Sequence, residues 1–118
     1  MIVAGFGFST KATAASLADA LAQHDVTPDA VATLETKASA LQSFARAKGI
    51  QTITVSAVDA KAQTTVTHSA RSSAEKDMPS VAEATALAAA GPGATLIGSR
   101  TISHDRMATC AIAEGQDT

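Results

Sequence analysis

The chain has 118 residues, 46% of them hydrophobic but only 3% aromatic, with neither Trp nor Tyr. That length suits one domain, whose core must be assembled from Ala, Val, Ile, Leu and three Phe. A net charge of −2 and a pI near 5.8 exclude the basic excess of a typical nucleic-acid binder. The single cysteine, Cys110, excludes an internal disulfide and a cysteine-based zinc site.

The opening MIVAGFGF is apolar but too short to span a bilayer, and it lacks the basic start and cleavage site of a secretory signal. The expected compartment is the cytosol, with no membrane partner. Ile2–Gly5 reads as a buried strand, and Gly5-Phe6-Gly7-Phe8-Ser9-Thr10 as a glycine-bearing turn ending in two candidate N-caps. Thr10–Gln23 follows as an amphipathic helix with Ala14, Leu17, Ala18 and Leu21 on one face. After the loop Asp25–Asp29 come a short strand, Val31–Leu34, and a second helix, Ala38–Lys48. Leu41, Phe44 and Ala45 of that helix face inward, and Gly49 closes it. Ile50–Ser56 alternates as a strand does.

Lys61–Lys76 is the most polar stretch and reads as a long surface connection. Ser80 and Glu83 have capping-box spacing at the start of a third helix, Val81–Ala90, which Gly91-Pro92-Gly93 stops. Its small residues Ala82, Ala86 and Ala89 would let a flat ring or a partner helix approach. Thr95–Ser99 is a strand, Thr101–Asp105 a turn region, and Met107–Ala113 a last strand forming a hairpin with it. Residues 1–113 make one domain, and Glu114–Thr118 a frayed tail.

Strand–helix alternation over the first half predicts a largely parallel sheet with helices on both faces, made mixed by the C-terminal hairpin. Ligands of such sheets bind outside the carboxyl ends of the parallel strands, here around Gly5–Lys11, Glu35–Lys37 and the Ser56 end. There, Gly5–Thr10 would offer amide hydrogens to an anion, beside Lys11 in the first helical turn. Lys37 on the same rim would meet a ligand carboxylate, or else Glu35 or Asp29. In the polar connection Thr67-His68-Ser69 and Arg71 would close over a ligand, with Arg71 gripping a carboxylate. Cys110 reads as a small core residue and His24 as a helix-end cation. No metal-ligand spacing, Walker sequence or nucleophile motif is present, so no catalytic constellation and no cofactor is assigned.

Gly5-Phe6-Gly7, Thr33-Leu34-Glu35-Thr36-Lys37, Pro79-Ser80-Val81-Ala82-Glu83-Ala84, Ala90-Gly91-Pro92-Gly93-Ala94 and Thr109 with Ala111-Ile112-Ala113 together resemble the CobE/CbiG C-terminal family of cobalamin-biosynthesis proteins. The resemblance implies an α/β fold, a three-layer α/β/α sandwich with a mixed, mainly parallel sheet of about five strands. It also implies work on a corrin or precorrin intermediate, a flat macrocycle fringed with carboxylates. Candidate substrate-binding residues are Gly5, Phe6, Gly7, Phe8, Ser9, Thr10, Lys11, Thr36, Lys37, Ser69, Arg71, Ser80 and Glu83. Three readings stand open at this point: a binder of such an intermediate, a hydrolase opening a precorrin lactone with acetaldehyde release, and an adaptor. The adaptor would dock to a pathway enzyme or form a homo-oligomer through its alanine-rich helix.

Overall fold

Side chains alternate along Ile2–Phe8 between bulky and absent, and that alternation decides how the layers stack. Ala4 and Phe6 point to one face of a sheet, with Ile2 and Phe8 packed against the same cluster. Val3 points to the other face, as do Gly5 and Gly7, which meet the third helix there. The computed structural model describes residues 1–9, 11–56, 58, 81–91 and 93–115. Its strands are β1 (Ile2–Phe8), β2 (Ala30–Leu34), β3 (Gln51–Val55), β4 (Thr95–Ile102) and β5 (Ala108–Glu114). The helices among the described residues are α1 (Ala14–Ala22), α2 (Ala38–Lys48), entered through a tight 3-10 turn at Glu35–Lys37, and α3 (Val81–Ala90).

The five strands form one sheet in the order β3-β2-β1-β5-β4. The β1–β2 and β2–β3 pairs are parallel, while β5 runs antiparallel to both β1 and β4. The fold is therefore the α/β class read from the sequence, with α1 and α2 on one face and α3 on the other. Phe6, Leu17, Leu21, Val31, Leu41, Phe44, Cys110 and Ile112 fill the first interface. Phe6 and Phe44 meet edge to face with ring centroids 5.7 Å apart, an arrangement that aromatic quadrupoles favour.

The opposite face of the sheet carries little bulk at its centre, where its buried side chains include Val3, Ala30, Ala32, Val55 and Ala113. Onto it lies α3, whose residues Ala82 to Leu87 are all buried. A β-carbon at Gly5 would stand 2.1 Å from the Ala82 carbonyl oxygen and 2.5 Å from the Ala86 nitrogen. Only glycine admits the helix backbone that closely. Ala82 and Ala86 are thus turned to the sheet, rather than presented to a ligand or a partner helix. Gly91 ends the helix at φ +99°, in the left-handed region foreseen for it.

Several boundaries differ from the sequence reading for identifiable reasons. Gly5–Phe8 is strand rather than turn, in register with Ala111–Ala108 of β5. Helix α1 starts at Ala14 because Thr13 and Ser16 make a capping box. Thr13 Oγ1 accepts the Ser16 N–H at 3.3 Å, and the Thr13 N–H donates to Ser16 Oγ at 3.1 Å. Lys11 therefore lies before the helix, outside its first turn. Strand β4 continues to Ile102, so the turn follows Ser103. Glu114 pairs with Ile2 and Thr95 instead of fraying, and the Gly115 N–H donates to the Met1 carbonyl at 2.8 Å. The polar stretch Lys61–Lys76 lies outside the described residues.

The turn between β4 and β5 is tied to α1 by carboxylates. Asp105 accepts from the Ser16 and Ser103 hydroxyls and from the Met107 N–H, while Asp19 accepts from the His104 amide and ring. The Ser103 hydroxyl, followed by Ser16 and the Met107 amide, holds the Asp105 carboxyl below its ordinary value of 3.8. The His104 amide and then its ring do the same for Asp19.

Two outcomes are expected. Gly5→Ala should destabilise the fold by about 3 kcal/mol or more in urea unfolding, since the clash is with helix backbone, not with a movable side chain. Gly7→Ala should cost less, because its nearest neighbours are the Thr109 hydroxyl and the Val81 side chain. For Asp105 the native carboxyl is lowered, so its contribution is complete above the unfolded value and is lost as pH falls through the native one. The urea midpoint should drop between about pH 5 and pH 2, and drop less in Asp105→Asn.

Candidate functional site

The carboxyl ends of β1, β2 and β3 lie at one edge of the sheet, and β1 is where the strand order reverses. From it β2 and β3 extend one way, β5 and β4 the other. Crevices at such a reversal are the usual ligand sites of open α/β sheets. Past β1 the chain bends: the Ser9 N–H donates to the Met107 carbonyl at 3.0 Å, and the Ala12 N–H returns to the Ser9 carbonyl at 3.1 Å. The Lys11 N–H donates to Ser9 Oγ at 3.3 Å, and the Lys11 side chain is exposed. Past β2 come Glu35–Lys37, which bring the Lys37 ammonium over the ring of Phe8, 5.7 Å from its centroid. A cation held over an aromatic face keeps its charge while losing some of its freedom. The first residue of α3 closes the same rim, because the Val81 side chain packs beside Gly7.

The rim thus gathers Gly7, Phe8, Ser9, Lys11 and Lys37, the two lysines following adjacent strands. It does not gather all of the candidates. Phe6 is fully buried between the sheet and α2, and Gly5 faces α3. Since Gly5–Phe8 is strand, the amide cradle expected of a glycine turn is not formed there. Thr36 lies in the 3-10 turn. Thr10, Ser69, Arg71 and Ser80 lie outside the described residues, as does His68. Asp29, weighed as a partner for Lys37, sits before β2 and accepts the Ile2 N–H at 2.8 Å. The five-residue strand puts it about 16 Å from the rim.

Glu83 is the only buried carboxylate among the described residues. Its Oε2 accepts the Arg100 N–H at 2.9 Å. That amide is available because β4 is irregular against β5, the register slipping between Gly98 and Thr101. The carboxylate therefore reaches across to a bulge in β4, a partner that the capping spacing did not suggest. Thr33 and Thr109 were also missed. Their hydroxyls donate to the carbonyls of Phe6 at 2.9 Å and Gly7 at 3.1 Å, bracing the end of β1 from both neighbouring strands. A threonine in a β-rich run gives no such signal in sequence.

Cys110 is a core residue as read, and burial pushes its thiol up, away from reactivity. His24 does more than end a helix. Its Nε2 lies 2.8 Å from the Cys110 carbonyl, which can only accept, so this nitrogen carries the proton. Among the described residues no three His, Cys, Asp or Glu side chains converge as metal ligands, and no helix is long and apolar enough to cross a membrane.

A mixed five-stranded sheet with helices on both faces defines a small α/β domain. Within that class, residues 2–113 match the family model described as cobalamin synthesis G C-terminus, and the chain belongs to that family of cobalamin biosynthesis. It is similar to the solved cobalamin biosynthesis protein chiG of Agrobacterium tumefaciens, with 30% identity, a TM-score of 0.73, and 99% of this chain and 100% of that one covered. Similarity to the solved structure of CobE, a protein from the cobalamin (vitamin B12) pathway, is 26% identity at a TM-score of 0.75, covering 96% and 89%. A cobalamin biosynthesis protein G homolog from Sulfolobus solfataricus shares the fold at 18% identity and a TM-score of 0.74, with 98% of this chain matching 37% of that one. Comparison with curated protein sequences found no significant match.

Glu83→Ala would leave the Arg100 amide without its carboxylate and should destabilise the protein by about 1–3 kcal/mol in urea unfolding. Glu83→Gln keeps an acceptor oxygen and should cost less than half as much, about 1 kcal/mol at most.

Proposed function

We propose that the chain binds a carboxylate-rich corrin or precorrin intermediate of cobalamin biosynthesis at the carboxyl rim of its sheet. The observation that carries this reading is Lys37 poised over Phe8, with Lys11 at the end of the adjacent strand, in a chain of this family. A corrin precursor presents a flat apolar ring and a fringe of acetate and propionate groups. Phe8 offers apolar surface, and the two ammonium groups offer charge-assisted hydrogen bonds to the fringe. Ser9 adds a hydroxyl, and Ser69 and Arg71 complete the polar set in this reading.

Lactone opening has less support, because the buried carboxylate Glu83 is turned to the Arg100 amide. A general base has to reach its water. The adaptor reading has less support, since of Ala82, Ala86 and Ala89 the first two are buried against the sheet and the third is half-buried.

Absorbance titration with a panel of purified corrin intermediates tests the proposal. One member should bind at micromolar concentration, and Lys11→Gln with Lys37→Gln together should weaken it about tenfold or more. Binding that is absent across the panel, or indifferent to both lysines, overturns it. Assaying acetaldehyde release with the same panel tests the hydrolase reading, for which product above the uncatalysed background is required.

A further inference from the structure

Helices α1 and α2 cover different strands of the same sheet face. The first sits over β5 and β4, the second over β2 and β3, and a groove of about 520 Å³ runs between them. Its floor is Leu17, Phe44 and, at the rim end, Phe8, and its walls are small: chiefly Ala14 and Ala18 on one side, Ala40 and Ala47 on the other. That volume falls within the range of small-molecule pockets.

The charge around the groove has one sign. Lys48 stands at the far end, its ammonium 5.3 Å from the centroid of the Phe44 ring, and Lys37 is stacked on Phe8 at the near end. No Asp or Glu lines it among the described residues. An acid, Asp25, appears only in a neighbouring hollow beyond Lys48. An apolar floor with the Lys48 cation at one end complements a molecule with an apolar body and an anionic group. A cation would meet the Lys48 charge there.

We propose that this groove is a binding site for a small amphipathic anion, its apolar body laid on Phe44 and Leu17 and its anionic group set against the Lys48 ammonium. The groove shares Phe8 with the carboxyl rim, but its anchor is Lys48, at the far end of α2, so its test does not depend on the corrin reading. Lys48 and Ala47 are exposed on α2, so both can be replaced without opening the core.

The test is a fluorescence titration of the full chain with anilinonaphthalene sulfonate, run beside its uncharged relative phenylnaphthylamine. One sulfonate probe should bind per chain. Lys48→Gln should weaken the sulfonate about fivefold and the uncharged probe less than about twofold. Ala47→Leu, which fills the groove, should weaken both by about tenfold or more while thermal unfolding shows the variant folded. Should that variant fail to fold, the Lys48→Gln contrast decides alone. No saturable binding, equal affinity for the two probes, or sulfonate binding unchanged by Lys48→Gln overturns the proposal.

Discussion

The contact between α3 and β1 at Gly5 is the constraint on which the rest of the structure depends. Helix backbone lies against strand backbone there, with no side chain between them. Because the layer is that thin, the sheet face beneath can carry only alanine, glycine and an occasional valine, and the helix can carry only small residues toward it. The three Phe are consequently confined to the other face, where Phe6 and Phe44 define the thickness of the second layer. A chain with few aromatics can build a dense core in this way, by approach instead of by bulk.

The same closeness places Glu83. With α3 pressed on the sheet, its first turn comes within hydrogen-bonding distance of β4, where a register slip leaves the Arg100 amide to be satisfied. A buried carboxylate is tolerable only with such a partner. The bulge and the acid are thus two halves of one arrangement, joining the helix to the outer strand across β5. On the opposite face Asp105 and Asp19 play a comparable part at the surface, fastening the β4–β5 turn to α1.

What positions the rim follows from the parallel strands. Their carboxyl ends fall together, so residues far apart in sequence meet there: Lys37 stands over Phe8, and Val81 of α3 packs beside Gly7. Threonines 33 and 109 brace the last carbonyls of β1 from either side, which fixes the direction in which Phe8 leaves the strand. The Lys37 ammonium is held by that ring.

By itself the sequence determined the fold class, the hairpin, the inward residues Leu41, Phe44 and Ala45, and the stops at Gly49 and Gly91. These rest on periodicity and on backbone freedom, which are local properties of the chain. The family motifs were legible too, and with them the pathway. Tertiary structure alone decided what the glycines of GFGF are for. In sequence they mark a turn, but in the fold they are strand residues whose missing side chains admit α3. It also turned Glu83 toward Arg100. The physical reason is the same in both cases: a glycine or a carboxylate acquires its role from the group that packs against it, and that group comes from a distant part of the chain.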